Sequence, residues 1–306
     1  MTDADRPEAL RTPDDRFHDL PGFPWRPHYV EDLPGFPGLR LHHLDEGRRD
    51  GPVFFCLHGQ PTWSYLYRRM LPVFAEAGRV VAPDLFGFGR SDKPVDDGWY
   101  SFTRHRDSLL RFVEALDLRD ITLVCQDWGG LLGLTLPVDM PDRFSRLIVM
   151  NTGLGTGEHS LGEGFEAWKA YNRSQPDMDV AKLIRRATPV LTEAEAAAYG
   201  APFPDVRYKA GVRRFPELVP ASPDADGAAV SRRARDFLKT AWNGPVFMAV
   251  GMQDPVIPPK AMAYLCSQIR GCPEPMQVPD AGHFVQEWGA PVARAALDAF
   301  ARAGAA

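Results

Sequence analysis

The chain has 306 residues, 44% of them hydrophobic. That is enough for one large α/β domain with an insertion, or for two domains, and it argues against disorder. A formal net charge of −5 with no Lys/Arg block gives no electrostatic support for a nucleic-acid or anionic-membrane partner. No run approaches the ~18 apolar residues of a membrane span. The polar, acidic N-terminus lacks the apolar stretch of a secretion signal, so a cytoplasmic setting is expected.

In chain order, Leu39–Glu46 alternates in polarity and reads as an antiparallel edge strand. Val53–His58, Arg79–Asp84, Ile121–Gln126, Arg146–Asn151, Pro245–Gly251 and Met276–Pro279 are short and almost continuously apolar. Such runs suit parallel strands covered on both faces. Helical patterns lie between them, over Tyr65–Ala77, Thr103–Leu116, Leu131–Met140, Pro259–Ile269 and Pro291–Ala303. The alternation predicts a doubly wound sheet.

That alternation stops between about Thr152 and Gly227, where no strand is convincing. Leu161, Phe165, Trp168 and Tyr171 step at helical spacing and share one face. Thr192 and Glu195 have the spacing of a capping box. Pro189, Pro202, Pro204, Pro216, Pro220 and Pro223 cut the region into short pieces. The reading is a core domain over 1–152 and 228–306 with a helical cap over 153–227. Gly153–Gly157 lacks the Lys-Ser/Thr of a phosphate loop and is read as the hinge into that cap.

Of the four cysteines, Cys56 and Cys125 fall in apolar runs and read as buried thiols. Cys266 and Cys272 are close enough in sequence to pair, but free thiols are expected. No cysteine set has zinc spacing, and nothing near His42-His43 completes a metal set. Neither a metal nor an organic cofactor is expected.

The strongest chemical signal is Cys125-Gln126-Asp127-Trp128-Gly129-Gly130, an apolar run ending in a carboxylate followed by glycines that open a helix. This is the strand–elbow–helix context of an α/β-hydrolase nucleophile, with Asp where a serine enzyme has Ser. An aspartate carboxylate is ionised at neutral pH and needs no base to activate it. Once alkylated it is an ester, which an activated water must release. Alkyl carbons bearing a leaving group suit this chemistry better than amides. Asp127, Asp254 and His283 each follow a strand-like run, in the nucleophile–acid–histidine order of that fold. Asp280 rivals Asp254 as the partner of His283, and the strand-end position favours Asp254. The His58-Gly59-Gln60-Pro61 loop follows the first buried strand. There Gln60 is expected to supply one oxyanion-hole N–H and Trp128 the other, with His58 structural.

Several segments together resemble the haloalkane dehalogenases, most closely the subfamily typified by the 1,2-dichloroethane enzyme. They are the elbow, His58–Arg68, Asp84–Pro94, Phe165–Lys169, Gly271–Pro275 and Asp280–Phe284. The similarity spans about Arg11 to Phe300. It implies an α/β-hydrolase fold acting on short haloalkanes. Asp127 would attack the halogen-bearing carbon while the indole N–H groups of Trp128 and Trp168 hold the departing halide. His283, oriented by Asp254, would then activate water against the ester. Phe165 would line the pocket. From pattern alone an aromatic at the Trp168 position is most often core, and its halide role comes from the resemblance. The chain departs from close relatives at Gln60, where Glu is frequent, so the Gln60 amide rivals Trp168 as the second halide donor. The implied partners are a small haloalkane and a halide ion, and a monomer is expected. An epoxide hydrolase shares the Asp nucleophile and needs cap tyrosines, for which Tyr171, Tyr199 and Tyr208 are candidates. A non-catalytic binding protein on the same scaffold is the third reading.

Overall fold

The computed structural model describes residues 6–304. Eight strands form one sheet: β1 (His28–Glu31), β2 (Arg40–Gly47), β3 (Val53–Leu57), β4 (Arg79–Pro83), β5 (Ile121–Gln126), β6 (Phe144–Met150), β7 (Val246–Gly251) and β8 (Met276–Val278). Their spatial order is β8-β7-β6-β5-β3-β4-β2-β1. All neighbours from β8 to β4 run parallel, whereas β2 is antiparallel to both β4 and β1. Every residue of β3, β5 and β7 is buried, as continuous apolar runs require when helices cover both faces. Each fully buried Val, Leu, Ile or Phe contributes roughly 1.5–3 kcal/mol, so these central strands anchor the core.

Three sequence expectations change. The alternating strand β2 is internal, and the edge is β1, a short strand with exposed ends that the sequence reading missed. The expected helix over Tyr65–Ala77 divides into a 3-10 turn, Ser64–Tyr67, and α1 (Leu71–Ala77), which has Pro72 in its first turn. The expected helix over Leu131–Met140 is replaced by α3 (Trp128–Gly133) and a separate 3-10 turn, Leu136–Val138, around Pro137. The remaining core helices are α2 (Phe102–Ala115), α8 (Ala228–Thr240), α9 (Pro259–Ser267) and α10 (Gly289–Gly304). The α8 segment was not anticipated.

Between β6 and β7, before α8, lie α4 (Glu163–Ser174), α5 (Val180–Ala187), α6 (Glu193–Gly200) and α7 (Ala210–Leu218). The Thr192–Glu195 capping box opens α6. Pro216 sits inside α7 and does not end it. The proposed apolar face of α4 is narrower than its spacing suggested. Leu161 precedes the helix, Tyr171 is 36% exposed, and Asn172 is the buried residue, its Nδ2 donating to Val212 O at 3.0 Å.

A buried ion network fastens this region to the core. Arg68, next to the Ser64–Tyr67 turn, donates to both oxygens of Glu287 at 2.6 and 2.8 Å and to Glu195 of α6 at 3.0 Å. Tyr199 of α6 also donates to Glu287. Glu287 lies in the turn Val285–Trp288, which begins one residue beyond His283-Phe284.

Candidate active site

Parallel register brings the carboxyl ends of β3, β5, β6, β7 and β8 to one edge of the sheet. Leu57 pairs with Cys125, Gln126 with Met150, and Gly251 with Val278. Loops leaving such ends form the site of an open parallel sheet. Asp127 follows β5 directly and adopts φ 51° and ψ −127°, in the left-handed half of backbone space that side chains rarely occupy. Its N–H donates to Asn151 O at 3.0 Å, and its C=O accepts from Thr152 Oγ1 at 2.6 Å. The turn leaves no room beside it. A Cβ on Gly129 would overlap Leu57 O, and one on Gly59 would overlap the Asp127 carboxylate itself. These glycines let the Gly59–Gln60 loop and the elbow touch.

Gln60 N–H donates to Asp127 Oδ1 at 2.7 Å. The other oxygen, Oδ2, lies 3.3 Å from His283 Nε2. His283 Nδ1 lies 2.7 Å from Asp254 Oδ2. Asp254 accepts further bonds from Val256 N at 2.8 Å, Ile257 N at 3.0 Å and Asn151 Nδ2 at 2.9 Å. The three candidate residues therefore form one hydrogen-bonded chain, and Asp280 is not part of it. Burial favours neutral Asp254, but the charge and hydrogen bond of His283, with the two backbone amides, more than offset this and lower its pKa. Burial also disfavours a charged His283. Asp254 and Asp127 outweigh it and push the imidazole up to about 10. The side chains of Asp127 and His283 are 17% and 11% exposed, whereas Asp254 is fully covered. The first two are thus open to a reactant and the third only supports.

That opening is a cavity of about 1420 Å³. Asp127, His283, Trp128, Trp168, Phe165 and Gln60 all line it. Trp128 opens α3 and its ring packs on Phe215 of α7, with centroids 4.7 Å apart. Its backbone N–H, at the first helical position, has no carbonyl to bond within its own helix. The Gln60 side chain is already engaged, with Nε2 donating to Val212 O at 2.9 Å. His58 is buried and structural, with Nδ1 2.8 Å from Gly59 O and Nε2 accepting from Leu85 N at 2.9 Å. Tyr171, Tyr199 and Tyr208 are not among the cavity-lining residues.

Three supporting residues went unread in the sequence. Asn151 bridges Asp254 and β7, accepting from Gly251 N at 2.8 Å. Thr152 holds the elbow carbonyl. Gln126 Nε2 donates to His283 O at 3.0 Å, which ties the histidine loop to β5. The available signal was position, since all three sit at or just beyond strand ends. Among the described residues no group of three or more His, Cys, Asp or Glu is placed to hold a metal ion, and no helix is long and apolar enough to cross a membrane.

Residues 52–290 match the family model for the alpha/beta hydrolase fold. The chain is 44% identical to a haloalkane dehalogenase of Psychrobacter cryohalolentis over 92% of its own length and 93% of that protein. It is 42% identical to one of Mycobacterium marinum, covering 93% and 96%. Among solved structures, a haloalkane dehalogenase from Paraglaciecola agarilytica NO2, described as tetrameric, superposes with TM-score 0.94 at 52% identity, covering 96% of this chain and 99% of that one. Taken with the elbow aspartate and its histidine partner, these similarities show that the chain belongs to the haloalkane dehalogenase family, hydrolases of the α/β-hydrolase fold that act on carbon–halide bonds.

Proposed function

We propose that Asp127 is the nucleophile of a two-step haloalkane hydrolysis. The observation that carries this reading is the division of labour between its two oxygens. Oδ1 is held by Gln60 N–H at 2.7 Å, while Oδ2 faces His283. In the first step Oδ2 attacks the halogen-bearing carbon and the halide leaves toward the indole N–H groups of Trp128 and Trp168. A Trp N–H has no acceptor to repel an anion. Donors aimed where charge grows lower the barrier more than they tighten substrate binding. Phe165 lines the pocket beside them. The engagement of Gln60 Nε2 with Val212 O favours Trp168 over Gln60 as the second halide donor.

Oδ1 becomes the carbonyl oxygen of the ester. His283 takes a proton from water, which attacks that carbonyl carbon while Gln60 and Trp128 N–H groups stabilise the oxyanion. Alcohol and a proton are released. The site orders its own steps. While Asp127 is ionised, it and Asp254 keep His283 protonated. Ester formation removes the Asp127 charge, lowers the histidine pKa and makes the base available.

We assign residues 153–227 as the cap over this site, on the grounds that α4 contributes Phe165 and Trp168 to the cavity. A volume of about 1420 Å³ exceeds the ~300–1,000 Å³ of ordinary small-molecule sites and gives room for substrates longer than two-carbon haloalkanes. The cytoplasmic assignment rests on four free cysteines. All the proposed site residues come from one chain, so a monomer suffices for turnover. Light scattering distinguishes it from the tetramer described for the Paraglaciecola relative. Epoxide hydrolysis, the second reading, needs an acid on the opening oxygen, and none of Tyr171, Tyr199 and Tyr208 reaches the cavity. The test is incubation with 1-bromobutane and 1,2-dibromoethane, with release of bromide and acid expected. Turnover of styrene oxide without halide release from any short bromoalkane would sink the proposal.

A further inference from the structure

We propose that Cys266 and Cys272 form a modification site, a dithiol that closes to an intramolecular disulfide under peroxide and reopens under thiol reductant. Cys266 lies in the last turn of α9, and the chain folds back over it in two successive turns. Ile269 N–H donates to Cys266 O and Cys272 N–H donates to Ile269 O, both at 3.1 Å. Gly271 then takes φ 72°, the left-handed conformation that reverses the chain without a Cβ penalty. The result places the two sulfurs 2.9 Å apart, both half-buried at the surface. A bond requires closing that gap by about 1 Å, within side-chain movement. The other two thiols are different. Cys56 and Cys125 are buried in adjacent central strands where burial pushes both thiols up, so neither is readily attacked. Burial also pushes Cys272 up, and what sets this pair apart is its partly exposed position and the contact between its sulfurs.

The chemistry balances with a hydroperoxide as oxidant. One thiolate attacks the peroxide, which leaves as hydroxide and is protonated to water, and a sulfenic acid forms. The second thiol displaces its oxygen as water, giving the disulfide. Two thiols lose two hydrogens and one peroxide becomes two waters. The bond would close the turn between α9 and β8. One face of α9 and the Gln268 that caps it line the cavity, through Ala261, Tyr264, Leu265 and Gln268, and β8 leads into the His283 loop. The cross-link staples this connection without touching Asp127, Asp254 or His283.

The test treats the native protein with hydrogen peroxide, denatures it under maleimide and counts labels by intact mass. Two labels are expected where reduced protein takes four, one for each cysteine. Peptide mapping should join Cys266 to Cys272, and dithiothreitol should restore all four. The oxidised form should unfold a few degrees higher while still turning over substrate, because a short closed loop restricts the unfolded chain. Cys266→Ser and Cys272→Ser should each abolish the gain. Four labels after oxidation, a sulfinic acid at either position, or a link between two chains on a non-reducing gel would overturn the proposal.

Discussion

Replacing His283 by Phe separates the two halves of the proposed reaction. Asp127 needs no base for its attack, so alkylation should continue. Hydrolysis of the ester should fall by roughly 10²–10⁴-fold, the usual contribution of a positioned general base. The fold should survive the change. Asp254 loses the 2.7 Å bond to His283 but keeps Val256 N, Ile257 N and Asn151 Nδ2. The loss is one charge-assisted bond, about 1.5–3 kcal/mol. With 1-bromobutane the variant should release one bromide per chain and stop. The peptide containing Asp127 should then gain one butyl group by mass spectrometry, and wild type should show continuous bromide release with no lasting adduct. An unmodified Asp127 peptide after such a burst would refute Asp127 as nucleophile. Sustained turnover near the wild-type rate would refute His283 as base.

Three further outcomes are expected. Trp168→Phe removes one N–H donor to an anion, about 1.5–3 kcal/mol, so bromide affinity measured by indole fluorescence should weaken roughly 10- to 100-fold. An unchanged affinity would move the second halide contact elsewhere. Asp127→Asn removes one of the two anions that hold the His283 proton, so the imidazole titration followed by NMR should move down from about 10. Because that pKa is raised on folding, its stabilising contribution is complete below the ordinary histidine value of about 6.5 and is lost as pH rises through about 10, so wild type should lose stability over that window and Asp127→Asn should lose less. Arg68→Met removes the cation that meets both oxygens of the buried Glu287 and leaves only Arg69, 3.0 Å away, so it should cost about 1.5–3 kcal/mol in denaturant unfolding, with Arg68→Lys intermediate. Equal midpoints for Arg68→Met and wild type would show that Arg68 contributes nothing to stability.

The legibility of these features follows from what each one rests on. The central strands announce themselves because two-sided burial demands unbroken apolar runs. The β1 edge escapes because His28 and Glu31 face solvent and only two residues between them are partly covered. Asp127, His283 and Gln60 are readable because their chemistry depends on immediate neighbours, the glycines and the strand ends. Asn151 is not, because its role arises from parallel register, which sets it against Gly251 and Asp254, 100 and 103 positions away in the chain. The Arg68–Glu287 pair, 219 residues apart, leaves no local trace. Spacing marks Cys266 and Cys272 as neighbours, but their contact depends on the left-handed Gly271.

The Arg68 network also decides where traffic passes. It binds α6 to the segment that follows His283, so moving α6 outward would break the Tyr199–Glu287 and Arg68–Glu195 bonds and disturb the proposed base. Entry on that side is therefore expensive and self-defeating. Another part of the rim is held to α8 by contacts nearer the surface, Arg232 with Thr156 O and Arg235 with Glu158. It runs from Gly153–Gly157 to His159 and Tyr264, where the Tyr264 hydroxyl and His159 are 3.5 Å apart and Tyr264 is 50% exposed. Movement of this rim breaks none of the bonds among Asp127, His283 and Asp254, so exchange of small molecules on this side would leave that alignment undisturbed.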